Sequence, residues 1–507
     1  MPFKMWSLDI AREQCPTLDH LFQYATLTEE AGYDAIGLYL EHRYAWECAP
    51  WANGTDAVSP RMIERMQEEF PSLQIIPMIN LLGHFEGFIY TEEGKRFREA
   101  RFGGLQACPC APGFRQLCEA MIDETISVFR STIIHIGADE AASFGQCEAC
   151  QRRIAELGEN GKARLFAEHY VPLVQRVIDA GRRPAIWADV FKEHPEILEL
   201  FPKETLLFDW NYHAGIGESA AKLKASGFDV IGCPTLQVWN APWLHINESE
   251  ENIREIARDI QDQELAGYCL STWECGLFGA YDSLFPAIKW AAKAADVPDL
   301  EQTLLESFSA ESEDRGEWAK MIGQDLAKLG GMFAHSRIRS SMKCRLFLYG
   351  NPFLLWMHHG AELAGDQGKG ALAILERALF IAPSEAEKGI TLIIRGAVEF
   401  CRLAEEARIQ YEQGQPDAAI GKLAPARYLF ETLEAVAKRT HERIGGSRAD
   451  LERCIAARKH LETVFLRLRK YGRRELGYLP SFESITNPRF MPHDQGNWWL
   501  INKWANE

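Results

Sequence analysis

The most constraining feature of this chain is a regular alternation of strand-like and helix-like stretches over its first 297 residues. Short apolar runs, many bounded by Gly, Pro or charged residues, predict eight strands. Their predicted bounds are 3–9, 34–40, 73–79, 133–137, 183–189, 205–210, 228–234 and 267–273. The predicted helices between them include 18–31, 60–69, 114–130, 163–180, 253–263 and 284–294. Alternating strands and helices predict a parallel sheet, and about eight such units in under ~300 residues fit a (β/α)8 TIM barrel. An open doubly wound sheet is the alternative.

Beyond residue 297 the strand-like runs fade and helical periodicity replaces them. One apolar face is formed by Ile394, Ala397, Val398, Cys401 and Ala404, and a second by Leu451, Ile455, Leu461, Phe465 and Leu468. The sequence therefore predicts a catalytic TIM barrel over 1–297 and an α-helical domain over 298–507, with an irregular tail from 478. The helical domain is expected either to mediate a homodimer or to cover the pocket.

Charge and composition restrict the partners. The formal net charge is −17, which argues against nucleic acid or an anionic membrane, because both select basic surfaces. No apolar run has the length of a membrane span, and the N-terminus lacks the apolar stretch of a signal peptide, so a cytoplasmic location is expected. The 13 cysteines, an odd number spread along a long chain, are typical of reduced thiols.

The sharpest local feature is an apolar strand that runs directly into two acids, in the segment Ile133–Glu140. In a parallel barrel this places Asp139 and Glu140 at the edge where active sites form. Two adjacent carboxyl groups repel each other, and a pocket of low polarity would raise the pKa of one of them. The protonated group could then act as a general acid on a glycosidic oxygen. A solvated strand end is the alternative.

Tryptophans recur at the same edge, where each follows or closes a predicted strand. An indole at four such positions is not expected from core packing alone, and a set of them predicts an aromatic-walled pocket for a sugar ring. These residues are Trp187, Trp210, Trp239 and Trp273. His135 lies inside the fourth strand and is interpreted as a structural histidine.

The motif His-x-Gly-Ala-Asp-Glu at 135–140 resembles that of glycoside hydrolase family 20, the β-N-acetylhexosaminidases, over roughly residues 3–300. Matching residues follow other predicted strands: Arg12, Gly83-His84, Trp210 with Tyr212, and Trp273-Glu274. Many members carry an additional α+β domain before the barrel, whereas this chain begins at the first strand and resembles a compact form with a helical C-terminal domain.

The resemblance implies an exo-acting, retaining and substrate-assisted hydrolase of terminal β-linked GlcNAc or GalNAc, with no cofactor and no catalytic metal. In such a reaction the 2-acetamido oxygen of the substrate attacks C1, which gives an oxazolinium intermediate. Glu140 would act as the acid and then the base, Asp139 would accept from the acetamide N–H, and Tyr212 would donate to its oxygen.

The remaining roles follow from the same resemblance. Trp187, Trp210 and Trp273 would enclose the acetamido group and the ring, while Trp239 would border the aglycone. Arg12 and Glu274 would bind outer hydroxyls. His84 would lie behind Glu140 and tune its pKa, with Glu41 as a further candidate for this contact.

Two cysteine pairs flank the acidic motif, Cys108 with Cys110 and Cys147 with Cys150. A four-thiolate zinc site is one hypothesis, because zinc accepts tetrahedral sulfur. The Cys-x-Cys spacing suits it poorly, so reduced thiols are favoured.

Two other functions stay open from the residues. A metal-dependent barrel hydrolase would use His84, Asp139, Glu140 and His213 as ligands. A non-catalytic carbohydrate-binding protein would use the helical domain as its interaction surface. Sensitivity to chelators and turnover of an aryl β-HexNAc substrate would separate these alternatives.

Overall fold

The structure is a computed structural model of the 507-residue chain. It describes residues 2–11, 16–54, 56–100, 105–141, 144–238, 243–273, 280–330, 333, 360–444 and 448–475.

Eight parallel strands form a closed barrel in which each strand pairs with its neighbours in chain order and β1 pairs with β8. The strands are β1 Phe3–Asp9, β2 Ala35–Tyr39, β3 Gln74–Met78, β4 Ile133–His135, β5 Arg183–Trp187, β6 Leu206–Trp210, β7 Val230–Cys233 and β8 Gly267–Thr272. Their residues are almost all buried, as expected for parallel strands covered by helices on one face and by a packed interior on the other. The TIM barrel prediction is confirmed, and the open sheet is excluded.

Helices follow the strands and cover the outside of the barrel. The helices of this half are α1 Leu18–Glu30, α2 Pro60–Glu69, α3 Glu86–Ile89, α4 Phe114–Val128, α5 Glu148–Leu157, α6 Gly161–Asp179, α7 Asp189–Glu193, α8 Gly217–Ala225, α9 Ile246–Asp262 and α10 Phe285–Asp296. Local chemistry explains where α2 begins. The Ser59 side chain accepts from the Met62 N–H, and Pro60 occupies the first helical position.

Two of the differences between predicted and observed bounds have a clear local cause. Strand β4 ends at His135 rather than at 137, because Gly137 has a φ of 76° and leaves the extended conformation. Helix α9 begins at Ile246 rather than at 253, because the His245 side chain caps it by accepting from the Glu248 N–H at 3.4 Å. The first turns of α9 are rich in polar residues, which hides them from a search for apolar periodicity.

The C-terminal part is helical in the described residues, as predicted. Its helices are α11 Leu304–Ser309, α12 Glu313–Lys320, α13 Asp366–Ile381, α14 Glu385–Glu412, α15 Pro416–Leu423, α16 Ala426–Ile444 and α17 Arg448–Gly472. The predicted apolar face at 394–404 is buried in α14. One hydrophobic cluster runs from the barrel helices into this part. The domain boundary at 297 stays a prediction.

Among the described helices, none combines the length and the apolar character that crossing a membrane requires.

Candidate active site

The carboxyl ends of the strands bring most of the predicted site residues to one edge of the barrel. His84 follows β3, Asp139 and Glu140 follow β4, and the remaining described members are Trp187, Trp210, Tyr212 and Trp273. Arg12, Trp239 and Glu274 lie outside the described residues, so their roles stay predictions.

The backbone after β4 is unusual and sets the direction of the two acids. Gly137, Ala138 and Glu140 have φ values of 76°, 92° and 44°. A side chain at Gly137 would place its Cβ 2.4 Å from Oδ1 of Asn80, so only glycine fits there. Positive φ at Ala138 and Glu140 costs free energy, and such strain concentrates at functional sites. The strained turn therefore indicates that the positions of Asp139 and Glu140 serve a function.

His84 connects the acids of the site. Its Nε2 lies 2.9 Å from Oε2 of Glu140 and 3.6 Å from Oδ2 of Asp139, and its Nδ1 lies 3.7 Å from Oε1 of Glu86. Burial of the imidazole lowers the pKa of His84, but the carboxylates of Asp139, Glu140 and Glu86 outweigh it and hold that pKa well above its usual value. The three carboxylates thus favour the protonated imidazole beside Glu140.

The two adjacent acids differ in exposure. The side chain of Glu140 is 53% exposed, whereas that of Asp139 is 12% exposed. An acid that protonates a leaving group and later activates water needs access to the pocket, and Glu140 has it. Asp139 is held deeper, where an electrostatic contact is screened less by solvent.

Asp189, the first residue of α7, is a functional residue for which the sequence suggested no role. Its Oδ2 accepts from the backbone N–H of Glu140 at 3.0 Å, and its Oδ1 is buried without a partner among the described residues. Burial and the nearby charge of Asp139 raise the pKa of Asp189 to about 7. The side chain therefore fixes the backbone of the acid and adds a group that titrates near neutral pH.

Further contacts fix the loop after β3, and one of them joins it to the loop after β4. Nδ2 of Asn80 donates to the Tyr39 hydroxyl and, at 3.2 Å, to the carbonyl oxygen of His84. Nε2 of Gln106 donates to the carbonyl oxygen of Glu140 at 2.9 Å. None of these side chains carries a motif of its own, so only the fold reveals them.

Aromatic side chains form one wall of the site. The ring centroids of Trp187 and Trp273 are 5.7 Å apart, and Tyr39 meets Trp273 edge-on at 5.1 Å. Trp210 stacks on Tyr212 at 4.9 Å with an angle of 27° between the rings. Trp187 is buried in the barrel interior, whereas Trp210, Tyr212 and Trp273 are partly exposed.

The hydroxyl of Tyr212 is placed by this wall. Nε1 of Trp273 donates to it at 2.6 Å. Burial of the phenol raises the pKa of Tyr212 well above its usual value, and the charge of Asp139 adds to the effect. The hydroxyl therefore stays protonated and can donate a hydrogen bond to a ligand oxygen.

His135 is neutral and lies in the packed interior below the site. Burial lowers its pKa to about 3, and its Nδ1 accepts from the Gly137 N–H at 3.2 Å. Its Nε2 has no partner among the described residues. The structural interpretation from the sequence agrees with the Nδ1 contact, which supports the turn after β4.

The potential metal ligands in the structure differ from those expected for a metal-dependent hydrolase, which were His84, Asp139, Glu140 and His213. Within the described residues, the group whose donor atoms all lie within 4.8 Å of one another consists of Glu99, Cys108, Cys147 and Cys150. His213, the fourth ligand of that hypothesis, does not join the acids in such a group. Within the described residues, the donor atoms close enough to share a metal ion therefore lie beside the site rather than in it.

The fold is a TIM barrel with two adjacent acids at the carboxyl edge of its strands. Residues 74–265 match the family described as "Glycosyl hydrolase family 20, catalytic domain". The part of the barrel from β3 to β7 therefore matches the catalytic domain of this family. The match begins at β3 and ends before β8, so it includes His84, Asp139, Glu140 and Tyr212.

A curated relative is similar to part of the chain. The chain is 24% identical to a β-hexosaminidase of Vibrio furnissii over 171 residues, which are 31% of this chain and 26% of that protein. The chain thus spans about a quarter of the length of this curated relative.

Solved structures of family 20 enzymes resemble parts of the chain. An exo-β-N-acetylglucosaminidase of Vibrio harveyi in complex with N-acetylglucosamine has a TM-score of 0.46 at 17% identity, covering 58% of this chain and 54% of that one. A β-N-acetylhexosaminidase of Bacteroides fragilis has a TM-score of 0.47 at 17% identity, covering 58% and 65%.

Proposed function

We propose that the chain is an exo-acting, retaining β-N-acetylhexosaminidase that releases terminal β-linked GlcNAc or GalNAc by substrate-assisted catalysis. The observation that carries the proposal is the 2.9 Å contact of His84 with the exposed Glu140, directly beside the more buried Asp139. The family match of 74–265 and the β-hexosaminidase relative support the same activity.

In the first step the acetamido oxygen of the substrate attacks C1 while the glycosidic C1–O bond breaks. Glu140 gives its proton to the departing oxygen. His84 lies 2.9 Å from Glu140 and holds the acid in position. An attack from within the substrate replaces a protein nucleophile and gains a large effective concentration.

Asp139 and Tyr212 act on the acetamido group rather than on the leaving group. Asp139 accepts from the acetamide N–H and stabilises the positive charge that develops in the oxazolinium. Tyr212 donates to the attacking oxygen and holds it under C1, with its hydroxyl fixed by Trp273. Trp187, Trp210 and Trp273 enclose the group on its apolar sides.

In the second step water attacks C1 and Glu140 takes its proton. Two inversions at C1 give net retention of the β configuration. Arg12 and Glu274 bind outer hydroxyls of the terminal sugar, which accounts for exo action, and Trp239 borders the aglycone.

The proposal is tested by steady-state kinetics on aryl β-GlcNAc and aryl β-GalNAc substrates, with a thiazoline analogue of the oxazolinium as inhibitor. We expect turnover and tight inhibition. Glu140→Gln should lower kcat by about 10²–10⁴-fold for poor leaving groups and much less for good ones, because only a poor leaving group needs the proton.

The matched control is Glu264→Gln, a carboxyl group on the exposed turn after α9, which should leave kcat unchanged. Absence of turnover by the pure wild-type protein, or an equal loss for good and poor leaving groups in Glu140→Gln, would contradict the proposal.

A further inference from the structure

Three thiols converge beside the active site: Cys108 precedes α4, Cys147 is the N-cap of α5, and Cys150 lies in its first turn. Sγ of Cys108 lies 3.4 Å from Sγ of Cys147 and 3.4 Å from Sγ of Cys150. Oε2 of Glu99 lies 3.3 Å from Sγ of Cys150. Cys108 and Cys150 are buried, and all four donor atoms lie within 4.8 Å of one another.

These distances fit the edges of a tetrahedron around a small cation. Zinc–sulfur bonds of about 2.3 Å place two thiolates about 3.8 Å apart, and a zinc–oxygen bond of about 2.1 Å places a carboxylate oxygen about 3.6 Å from a thiolate. The observed separations of 3.3 and 3.4 Å lie a few tenths of an ångström below these edges. A disulfide explains them less well, because Cys108 contacts two thiols at the same distance and can bond only one.

Burial raises the pKa of Cys147, and one backbone contact acts in the opposite direction. Cys147 is the N-cap of α5, and its Sγ accepts from the backbone N–H of Cys150 at 3.4 Å. A helix N-terminus stabilises negative charge and lowers the cost of a thiolate.

Glu99 is held in place from its other side. Its Oε1 accepts from the backbone N–H groups of Gln146 and Cys147 at 2.5 and 2.8 Å. Its Oε2 is thereby aimed at the thiols.

We propose that Cys108, Cys147, Cys150 and Glu99 bind one zinc ion in a structural site. Thiolate ligands select zinc over magnesium or calcium, and four protein ligands close the coordination sphere. Cys110, which contacts Cys150 but lies outside the set of mutually close donors, is a neighbour and not a ligand.

The ion would join the two loops that carry the acid and its histidine. Glu99 and Cys108 belong to the long connection after β3, which also holds His84, whereas Cys147 and Cys150 follow the turn of Asp139 and Glu140. Gln106, two residues before Cys108, donates to the carbonyl oxygen of Glu140. The site would therefore fix the position of Glu140 relative to His84.

Metal analysis of the full-length protein tests the proposal. Protein purified without chelator and dialysed should contain about one zinc per chain, and replacement by cobalt should give the intense visible bands and thiolate charge-transfer bands of a tetrahedral site. Less than a tenth of an equivalent of metal, with no uptake of added zinc or cobalt by the reduced protein, would overturn the proposal. So would a disulfide between Cys108 and either partner in protein purified under reducing conditions.

Variants identify the ligands by metal content and cobalt spectrum rather than by activity. Cys147→Ser and Glu99→Gln should each weaken zinc binding by at least tenfold in competition with a chromogenic chelator. Cys110→Ser, in the same loop, and Cys48→Ser, outside the cluster, should keep full metal content. Loss of metal in Cys110→Ser with full retention in Glu99→Gln would overturn the assignment of Glu99. Cys108→Ala provides a second disruption if Cys147→Ser does not fold.

Discussion

At the scale of single residues, removing the Tyr212 hydroxyl tests directly how the acetamido oxygen is held. Tyr212→Phe keeps the stacking on Trp210 and removes one donor, so kcat should fall by about 10²–10³-fold, as for the loss of one oxyanion donor. KM should change less, since the hydrogen bond strengthens as charge develops. Steady-state kinetics on an aryl β-GlcNAc substrate measures both. Tyr428→Phe, on an exposed helix face, is the control. A rise in KM of Tyr212→Phe with an unchanged kcat would contradict the role.

Asp189 gives a prediction about pH and stability. Its pKa is about 7 in the folded protein against an ordinary value of 3.8, so the native state binds the extra proton between these values. The contribution of this group to stability is complete below about pH 4 and is lost as the pH rises through about 7. Asn at this position still accepts from the Glu140 N–H and carries no charge.

Asp189→Asn should therefore become more stable relative to the wild type by about 2–4 kcal/mol as the pH rises from 4 to 8, since one pKa unit corresponds to about 1.4 kcal/mol. Urea unfolding at several pH values measures the difference. Asp262→Asn, on an exposed helix end, serves as the control. A difference between Asp189→Asn and the wild type that stays constant with pH would show that the carboxyl group does not titrate in this range.

At the scale of secondary-structure elements, the turn after β4 depends on one glycine. Gly137→Ala forces a Cβ to within 2.4 Å of Asn80 and 2.9 Å of the Ile79 carbonyl oxygen, in addition to the cost of a positive φ. Gly181 has nearly the same φ, 73° against 76°, and open space around its Cβ. Gly181→Ala should cost about 1–2 kcal/mol from the backbone alone, and Gly137→Ala should cost clearly more. Urea unfolding compares the two, and equal losses would show that the turn relaxes freely.

The elements of the barrel were predictable from sequence because each strand is a short apolar run between polar helices. All eight strands agree with the prediction to within two residues at either end. The early end of β4 was not predictable, since the conformation of Gly137 and Ala138 depends on the neighbouring loop that holds Asn80. The N-terminal turns of α9 were missed because His245 is an uncommon cap.

The candidate site also contains residues that the sequence predicts and residues that only the fold reveals. Asp139, Glu140, His84 and Tyr212 follow strands directly, so barrel topology alone brings them to one edge. Asp189 acts through a contact between the segments after β5 and β4, and no spacing in the sequence indicates that these segments meet. The cysteine pairs show the same limit, because Cys-x-Cys is a poor zinc motif until the fold places Cys108 beside Cys147.

At the scale of the whole molecule, Trp318 of α12 joins the barrel to the helical part. Its ring lies 4.6 Å from that of Trp243, and its Nε1 donates to the Thr391 hydroxyl of α14 at 2.9 Å. Trp318→Ala should lower the free energy of unfolding by about 3–5 kcal/mol, because the side chain is buried. Phe380→Ala, at a side chain that is 91% exposed, should change it by less than about 0.5 kcal/mol.

Urea unfolding followed by circular dichroism and by loss of activity measures the effect. Coincident transitions shifted together in Trp318→Ala are expected, since the hydrophobic cluster is continuous between the two parts. A shift of one transition alone would show that the barrel and the helical part unfold independently.

The central claim is that the substrate supplies the nucleophile under the control of Asp139 and Tyr212. The most direct measurement is kcat/KM for aryl β-glucosaminides whose N-acetyl group carries zero, one, two or three fluorine atoms. Fluorine withdraws electrons from the carbonyl oxygen, so a substrate-assisted reaction should slow steeply and progressively along the series, and Asp139→Asn should lower the rate of the parent substrate. A rate independent of fluorination would show that a protein group or water attacks C1, and would contradict the mechanism.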